Sequence, residues 1–568
     1  MKPVRLSAAA TIALPRWGLI ALCLLYILPG IVRRDPWKVD DASGFGIMWT
    51  MAHGALSDWL SPNIVGMGMP NEAPLTYWIG AILIRVFGWL TGDALAARLS
   101  ILVFFAIGTL AVWRTAYVLG RRSESQPLKL AFGGQPAAMD YGRTLADGAL
   151  LIYVASLGLL LRSHETAATA LQVSMVAVVM YAAACLFDRP TARAATGLGV
   201  ATGLLLLTAN WITPLLLFVS FGLVAALRYR EVLPKLLMIS LPIMMALPAA
   251  WLLSRQVTTM ASVADWLTIG RRELGMASTS NTRELLKTSV WYLWPAWPIA
   301  AWAVYAWRSQ LTLHILLPAA VVAGLALITL FSPSARDHAL LPLLPPLAIL
   351  ATFGLPTLKR GAINAIDWFS VMTLSAIAGF IWLGWLAKQT GWPPQLAHNA
   401  FRAAPGFQPE FSSVALAVAL MTSVGWLLLL YWRLGRRPPV LWRAVVLSTG
   451  GIVLCWVLLM TLWLPWLNYR QSYAAVAEQL GAALPSTYRC VDTDEVGPAQ
   501  RASFAYLGHV KFSRPGDKRC EFLLVQDDRL LSKGGQMKSV DDRLTLLWQG
   551  RRAADRHELF RLFRRDSR

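Results

Sequence analysis

Trp37-Lys38-Val39-Asp40-Asp41, then Asp58-Trp59-Leu60-Ser61-Pro62, then Pro70-Asn71-Glu72-Ala73-Pro74-Leu75-Thr76-Tyr77-Trp78 punctuate one stretch of the chain, residues 33–93, between apolar runs at 15–32 and 94–119. About 20 mostly apolar residues are enough for a helix to cross a bilayer. The stretch therefore reads as a loop between two spans. It is too long for a simple connector and carries helical patterns of its own. Asp40 and Asp41 follow the first span as an adjacent pair of carboxylates. Such a pair pushes the pKa of one member up. It suits proton transfer from an acceptor hydroxyl, and it also offers ligands to a cation. A simpler structural reading has Asp40 capping the helix that follows and Asp41 complementing its N-terminal dipole. The residues alone leave these readings open.

The rest of the chain fits a membrane setting. Of its 568 residues, 56% are hydrophobic and 15% charged, with a mean hydropathy of +0.51. A soluble domain is about 45–50% apolar and about 25% charged. The difference excludes an ordinary cytosolic enzyme, a disordered protein and a disulfide-rich secreted module. Candidate spans lie near 15–32, 94–119, 144–162, 169–187, 194–209, 211–228, 235–253, 288–307, 312–331, 338–356, 366–388, 411–432 and 441–466. The first of them has no clear small-residue cleavage site after it and reads as an anchor rather than a signal peptide.

Charge sets the orientation. With the N-terminus in the cytoplasm, Lys2, Arg5, Arg16, Arg121, Arg122, Lys129, Arg143, Arg228, Arg230, Arg433, Arg436 and Arg437 all fall inside. The short outer loops are poorer in base, with Arg271, Arg272, Arg283 and Arg336 as exceptions. The positive-inside rule therefore favours a multi-pass protein with its N-terminus cytoplasmic, and thirteen crossings then place the C-terminal tail outside. The formal charge of +21 then needs no nucleic acid, because much of it faces anionic lipid.

Residues 1–466 are expected to form the membrane unit, with the loop 33–93 on its outer face. Residues 467–568 are less apolar and read as a small α/β domain. Short strands are expected at 503–507 and 520–525, and a helix over 552–564. Cys490 and Cys520 lie in this tail, where an oxidising compartment permits a disulfide. Cys23, Cys185 and Cys455 fall in spans as apolar fillers, and no zinc-type spacing occurs.

In their order after a first span, the loop motifs resemble the first external loop of GT-C glycosyltransferases. They are most similar to the bacterial aminoarabinose transferases that modify lipid A and to the dolichyl-phosphate-mannose protein mannosyltransferases. Asp40 stands at the leading Asp of that pattern, and Asp41 where Glu is usual. Met51 and Asp58-Trp59 follow, then Glu72 with Pro74-Leu75 and Tyr77-Trp78. Ala73 replaces the Lys of the aminoarabinose transferases, a departure that bears on the substrate more than on the fold. Arg162-Ser163-His164-Glu165-Thr166-Ala167 matches a short outer turn whose acidic residue, here Glu165, faces the first-loop Asp. Ser332-Pro333-Ser334-Ala335-Arg336-Asp337-His338 precedes a Leu-Pro-rich span, as in the family.

The resemblance implies a polyprenyl-phosphate sugar donor, a lipid, glycan or protein acceptor on the outer face, and inversion at the anomeric carbon. On it, Asp40 is the base and Asp41 supports or replaces it. Glu165 completes the catalytic set. Glu72 and His164 contact substrate, and Arg271, Arg272, Arg336 and His338 are candidates for the donor phosphate. No cofactor is required, and a divalent metal is not favoured. The competing class is a transporter or flippase of a lipid-linked molecule. Pro214, Pro242 and Pro248 within spans would suit its broken helices. Transporters place their polar residues near the midplane, whereas these acidic candidates cluster on one outer face.

Overall fold

Apolar runs in a bilayer fold as helices because only there does each backbone N–H find a carbonyl of its own segment. The computed structural model describes residues 4–11, 13–129, 133–209, 211–259, 263–272, 279–332, 337–436, 440–515, 517, 520–528, 544–555 and 557–565. Among these, eight helical stretches are long and apolar enough to cross a membrane: Asp93–Gly120, Ala168–Asp188, Arg230–Val257, Leu313–Leu330, Asp337–Thr357, Arg360–Thr390, Ser413–Gly435 and Trp442–Leu462. Arg16–Ile27, Leu75–Thr91, Ala192–Leu206 and Ile212–Arg228 are shorter apolar helices. The chain is a multi-pass membrane protein.

Two expected spans are interrupted, and the first interruption builds the site. The run expected at 144–162 ends its helix at Val154 and restarts as Leu157–Arg162. At the break the Ser156 hydroxyl donates to the Ile152 carbonyl (2.9 Å), and the Leu157 N–H donates to Trp294 (3.0 Å). The run expected at 288–307 is likewise split, around Pro295, into Thr279–Tyr292 and Ala296–Ala306.

Burial sorts the helices. The apolar windows of Ala168–Asp188 and Trp442–Leu462 are each 78% buried, while those of Arg360–Thr390 and Ser413–Gly435 are 22% and 11% buried. The first two belong to the interior. The last two present Trp368, Phe369, Phe380, Leu427 and Leu428 outward, as lipid-facing helices do.

Within the first loop, Asp40–His53 is a helix, and β1 (Asn63–Ile64) pairs with β2 (Met67–Gly68) in a small hairpin. Part of the expected loop is instead the helix Leu75–Thr91, packed on Asp40–His53. Its Arg85 is held locally, donating to the Ala52 carbonyl (2.9 Å) and lying over the Trp59 ring.

The tail carries a four-stranded sheet of β3 (Val491–Asp494), β4 (Phe522–Asp528), β5 (Leu544–Gly550) and β6 (Glu558–Arg565), in the order β3-β4-β6-β5. β3 runs parallel to β4, and the other pairs are antiparallel. The strand expected at 520–525 is β4. Two other expectations need correction. Residues 503–507 lie in the helix Pro498–Leu507, which Pro498 opens and which packs against Asp40–His53. The helix expected at 552–564 is largely β6. β6 is the inner strand between β4 and β5 with Phe560 and Leu562 buried, and so short a stretch of mixed apolar and charged residues does not separate strand from helix by period.

Cys490 and Cys520 are joined as a disulfide that closes a loop of 30 residues. Loop-closure entropy makes such a link worth about 3–4 kcal/mol. Replacing both cysteines by serine is expected to make the tail markedly more sensitive to limited proteolysis, with the membrane helices unaffected.

The tail is clamped onto the first loop. Lys38 N–H donates to the Gln471 carbonyl (2.9 Å), and Lys38 Nζ pairs with Asp555 (3.4 Å). Arg501 donates to the carbonyls of Ile64 (3.1 Å) and Val65 (2.7 Å) in the hairpin. The segment leading into Asp40 is thus held from both sides.

Candidate active site

Asp40 is the first residue of its helix, so its side chain stands at the helix mouth rather than along a packed face. Opposite it is the turn between the short helix Leu157–Arg162 and the helix Ala168–Asp188. Gly44 lets the two come close: a Cβ there would fall 2.3 Å from the Thr166 carbonyl oxygen. Gly44→Val is therefore expected to push the helix away from the turn and lower activity while the membrane helices still assemble. Activity alongside size-exclusion of the purified variant would check this.

Arg162, at the end of the short helix Leu157–Arg162, gathers three carboxylates. Its Nη1 donates to Asp40 Oδ2 and to Glu165 Oε2, and its Nη2 to Asp337 Oδ2, each at 2.9 Å. The carboxylates differ in exposure. Asp40 and Asp337 side chains are 45% and 40% exposed, while Glu165 is 7% exposed. Burial pushes the Glu165 carboxyl up to about 7, against the pull of Arg162 and with the help of the Asp41 charge. Glu72 is half-buried nearby and accepts a 2.6 Å hydrogen bond from the Tyr77 hydroxyl. Burial raises its carboxyl, the Tyr77 bond opposes that, and the charge of Asp40 adds to the rise.

The Glu165 shift has a defined sign. A carboxyl raised in the folded state contributes stability that is full below its unfolded value of 4.5 and is lost as pH rises through about 7. The shift corresponds to roughly 3 kcal/mol. The melting temperature is expected to fall between pH 5 and 8, and Glu165→Gln is expected to flatten that fall. An unchanged slope in Glu165→Gln would count against the assignment.

Asp41, expected as a partner or substitute for Asp40, faces the other way. It is 1% exposed and lies 3.2 Å from Arg34 and 3.6 Å from Arg98. It accepts from the N–H of Trp37 (3.1 Å) and from the N–H (2.8 Å) and hydroxyl (2.9 Å) of Thr166. Burial works to raise its carboxyl, but the two guanidinium groups and the backbone donors outweigh it and hold it below the usual range. Arg34 also donates to the His164 carbonyl (3.0 Å), so this network ties the first loop to the Arg162 turn.

His164 is fully buried behind the turn. Its ring packs on Trp456 with centroids 4.5 Å apart, and Nε2 lies 3.0 Å from the Tyr26 carbonyl. Burial, with the charge of Arg34, lowers its pKa to about 3, so it stays neutral. Asp58 does not join the cluster: it holds the Ala55 N–H (3.0 Å) and the Asn63 side chain (2.9 Å). Among the phosphate candidates, His338 is half-buried beside Asp337, with Nδ1 3.9 Å from its carboxylate. Arg271 is exposed on the helix Val263–Arg272. The Arg272 side chain and Arg336 lie outside the described residues.

The structure therefore brings Asp40, Glu165 and Glu72 to one side of the molecule. It seats Asp41 and His164 in the packing behind them. Arg162 and Asp337 stand within the motifs without a role assigned to them there, and Arg34 and Arg98 lie outside the motifs. Arg98 sits in an apolar helix, where a charged residue is costly enough to be a signal that it has a partner. Among the described residues, no group of three or more His, Cys, Asp and Glu side chains is placed to hold a metal.

Comparison with known proteins bears on the fold. No family model matches the chain, and no curated protein sequence matches it. Solved structures do. ArnT from Cupriavidus metallidurans bound to undecaprenyl phosphate superposes with a TM-score of 0.64 at 14% identity, over 96% of this chain and 97% of that one. The apo state of the same protein gives 0.64 at 15% identity with the same coverage. AglB, the archaeal oligosaccharyltransferase from Archaeoglobus fulgidus, covers 90% of this chain and 69% of its own with a TM-score of 0.45 at 9% identity. The chain has the fold of ArnT along nearly its whole length, which is the GT-C architecture that the first-loop motifs anticipate.

Proposed function

We propose that this protein is a glycosyltransferase that moves a sugar from a polyprenyl-phosphate donor to an acceptor at the outer membrane face, with inversion and with Asp40 as base. The observation that carries the reading is the placement of Asp40, a half-exposed carboxylate at a helix mouth, fixed opposite Glu165 and beside Glu72. The ArnT fold, seen in that protein with undecaprenyl phosphate bound, supports the donor class.

In this reading the acceptor hydroxyl loses its proton to Asp40 as its oxygen attacks the anomeric carbon. The bond between that carbon and the phosphate oxygen breaks, and polyprenyl phosphate leaves with the electron pair. Glu72 and Glu165 orient acceptor and sugar by accepting hydroxyl hydrogen bonds. A cation is needed on the leaving phosphate, and Arg271, Arg272, Arg336 and His338 remain candidates for that task. Lipid A, another lipopolysaccharide sugar, a glycan or a protein are the acceptor classes. A bacterial inner membrane with the site facing the periplasm is the setting we assign.

Membranes carrying the wild-type chain are expected to release undecaprenyl phosphate from one member of a panel of undecaprenyl-phosphate sugars. Movement of an intact lipid-linked sugar across the bilayer, with no cleavage of any member, would favour the transporter reading instead.

A further inference from the structure

The guanidinium of Arg162 meets more negative charge than it can balance. It carries five N–H donors. Three of its bonds go to three different carboxylates. Glu165, on the protein side, is bonded and buried. Asp40 and Asp337 are the open pair, each two-fifths or more exposed. Their carboxylates are the solvent-facing members of pairs whose guanidinium is 18% exposed, so these are the two bonds an incoming anion can reach. A phosphate oxygen pair fits the guanidinium fork better than two separate carboxylates do, because it engages parallel N–H donors and carries its charge at one point.

We propose that Arg162 binds the donor's phosphate and, in its absence, neutralises Asp40, so that arrival of the phosphate frees the base. This rests on the glycosyltransferase reading and deepens it by assigning the phosphate ligand and an order of events. In the free protein, the Asp40 carboxylate is held by the Arg162 guanidinium. When a phosphate takes the open side of Arg162, Asp40 and Asp337 lose that partner. The base is then set loose only with the donor seated.

The arrangement makes an unusual prediction of sign. Carboxylates that compete with phosphate for one cation weaken phosphate binding, so removing them should tighten it. Farnesyl phosphate would be titrated against the purified full-length protein, with farnesol and inorganic phosphate as parallel ligands. R162Q is expected to weaken farnesyl phosphate binding by roughly 10–100-fold, the range for losing hydrogen bonds to a charged group. R162K is expected to restore part of it. D40N and D337N are expected to bind about 2–5-fold more tightly than wild type, the range for removing an exposed competing ion pair.

A purely structural Arg162 would give no tightening in D40N or D337N, and these two variants keep the test alive should R162Q fail to fold. Wild-type binding with R162Q unchanged, or with neither aspartate variant tighter, would overturn the proposal while leaving the glycosyltransferase reading intact. Inorganic phosphate binding as tightly as farnesyl phosphate would overturn the lipid-phosphate assignment. Absence of any farnesyl phosphate binding by wild type would remove both readings.

Discussion

Asp40→Asn is expected to lower sugar transfer by about 10²–10⁴-fold, the usual contribution of a positioned general base. The protein should remain folded. Asp40 is half exposed at the helix mouth, and an asparagine oxygen can still accept from Arg162. The loss should appear in kcat, because the neutral side chain fills the same space. The check is a single-turnover assay with a monodisperse variant. Loss of the folded protein would give the residue a structural role, and retained turnover would move the base elsewhere.

Asp41→Ala should fail in a different way. It leaves Arg34 and Arg98 buried together without the carboxylate they share. It also strips the acceptor from the Trp37 and Thr166 N–H groups. Removing one side of a buried ion pair costs about 3–5 kcal/mol, comparable to much of a domain's net stability of about 5–15 kcal/mol. The variant is expected to yield little monodisperse protein by fluorescence-detected size exclusion. A stable but inactive Asp41→Ala would show that Asp41 touches substrate after all. The adjacent aspartates are thus expected to separate by phenotype, one catalytic and one architectural.

The pair also shows how far the sequence could be read. Their position after the first span, and the order of the motifs behind them, pointed to the architecture, because spacing along the chain survives in the fold. Which of the two faces the open side did not show, since it depends on where the helix begins and what packs on its first turn. Here the helix begins at Asp40, and Arg34, Arg98 and Thr166 capture Asp41. His164 looked like a site residue by its neighbour Glu165. A tight turn points consecutive side chains apart, however, and His164 went into the packing against Trp456.

The tail was harder to read than the membrane part. Apolar length alone marks many spans, whereas 552–564 alternates weakly enough that strand and helix both fit. Its contacts could not be anticipated either: Arg501 reaching the first-loop hairpin joins residues more than 430 positions apart. Arg162 was hidden for a related reason. Its role depends on the break near Ser156, which the sequence presents as one continuous apolar run.

The most direct test of the central claim is comparative mass spectrometry of envelope glycolipids and glycans from cells carrying wild-type protein or Asp40→Asn at equal levels. The account predicts one species in the wild-type cells that is heavier by a single sugar and is missing from the mutant, its mass naming the sugar and its carrier the acceptor. The same sugar-bearing species at equal abundance in the Asp40→Asn cells would contradict it.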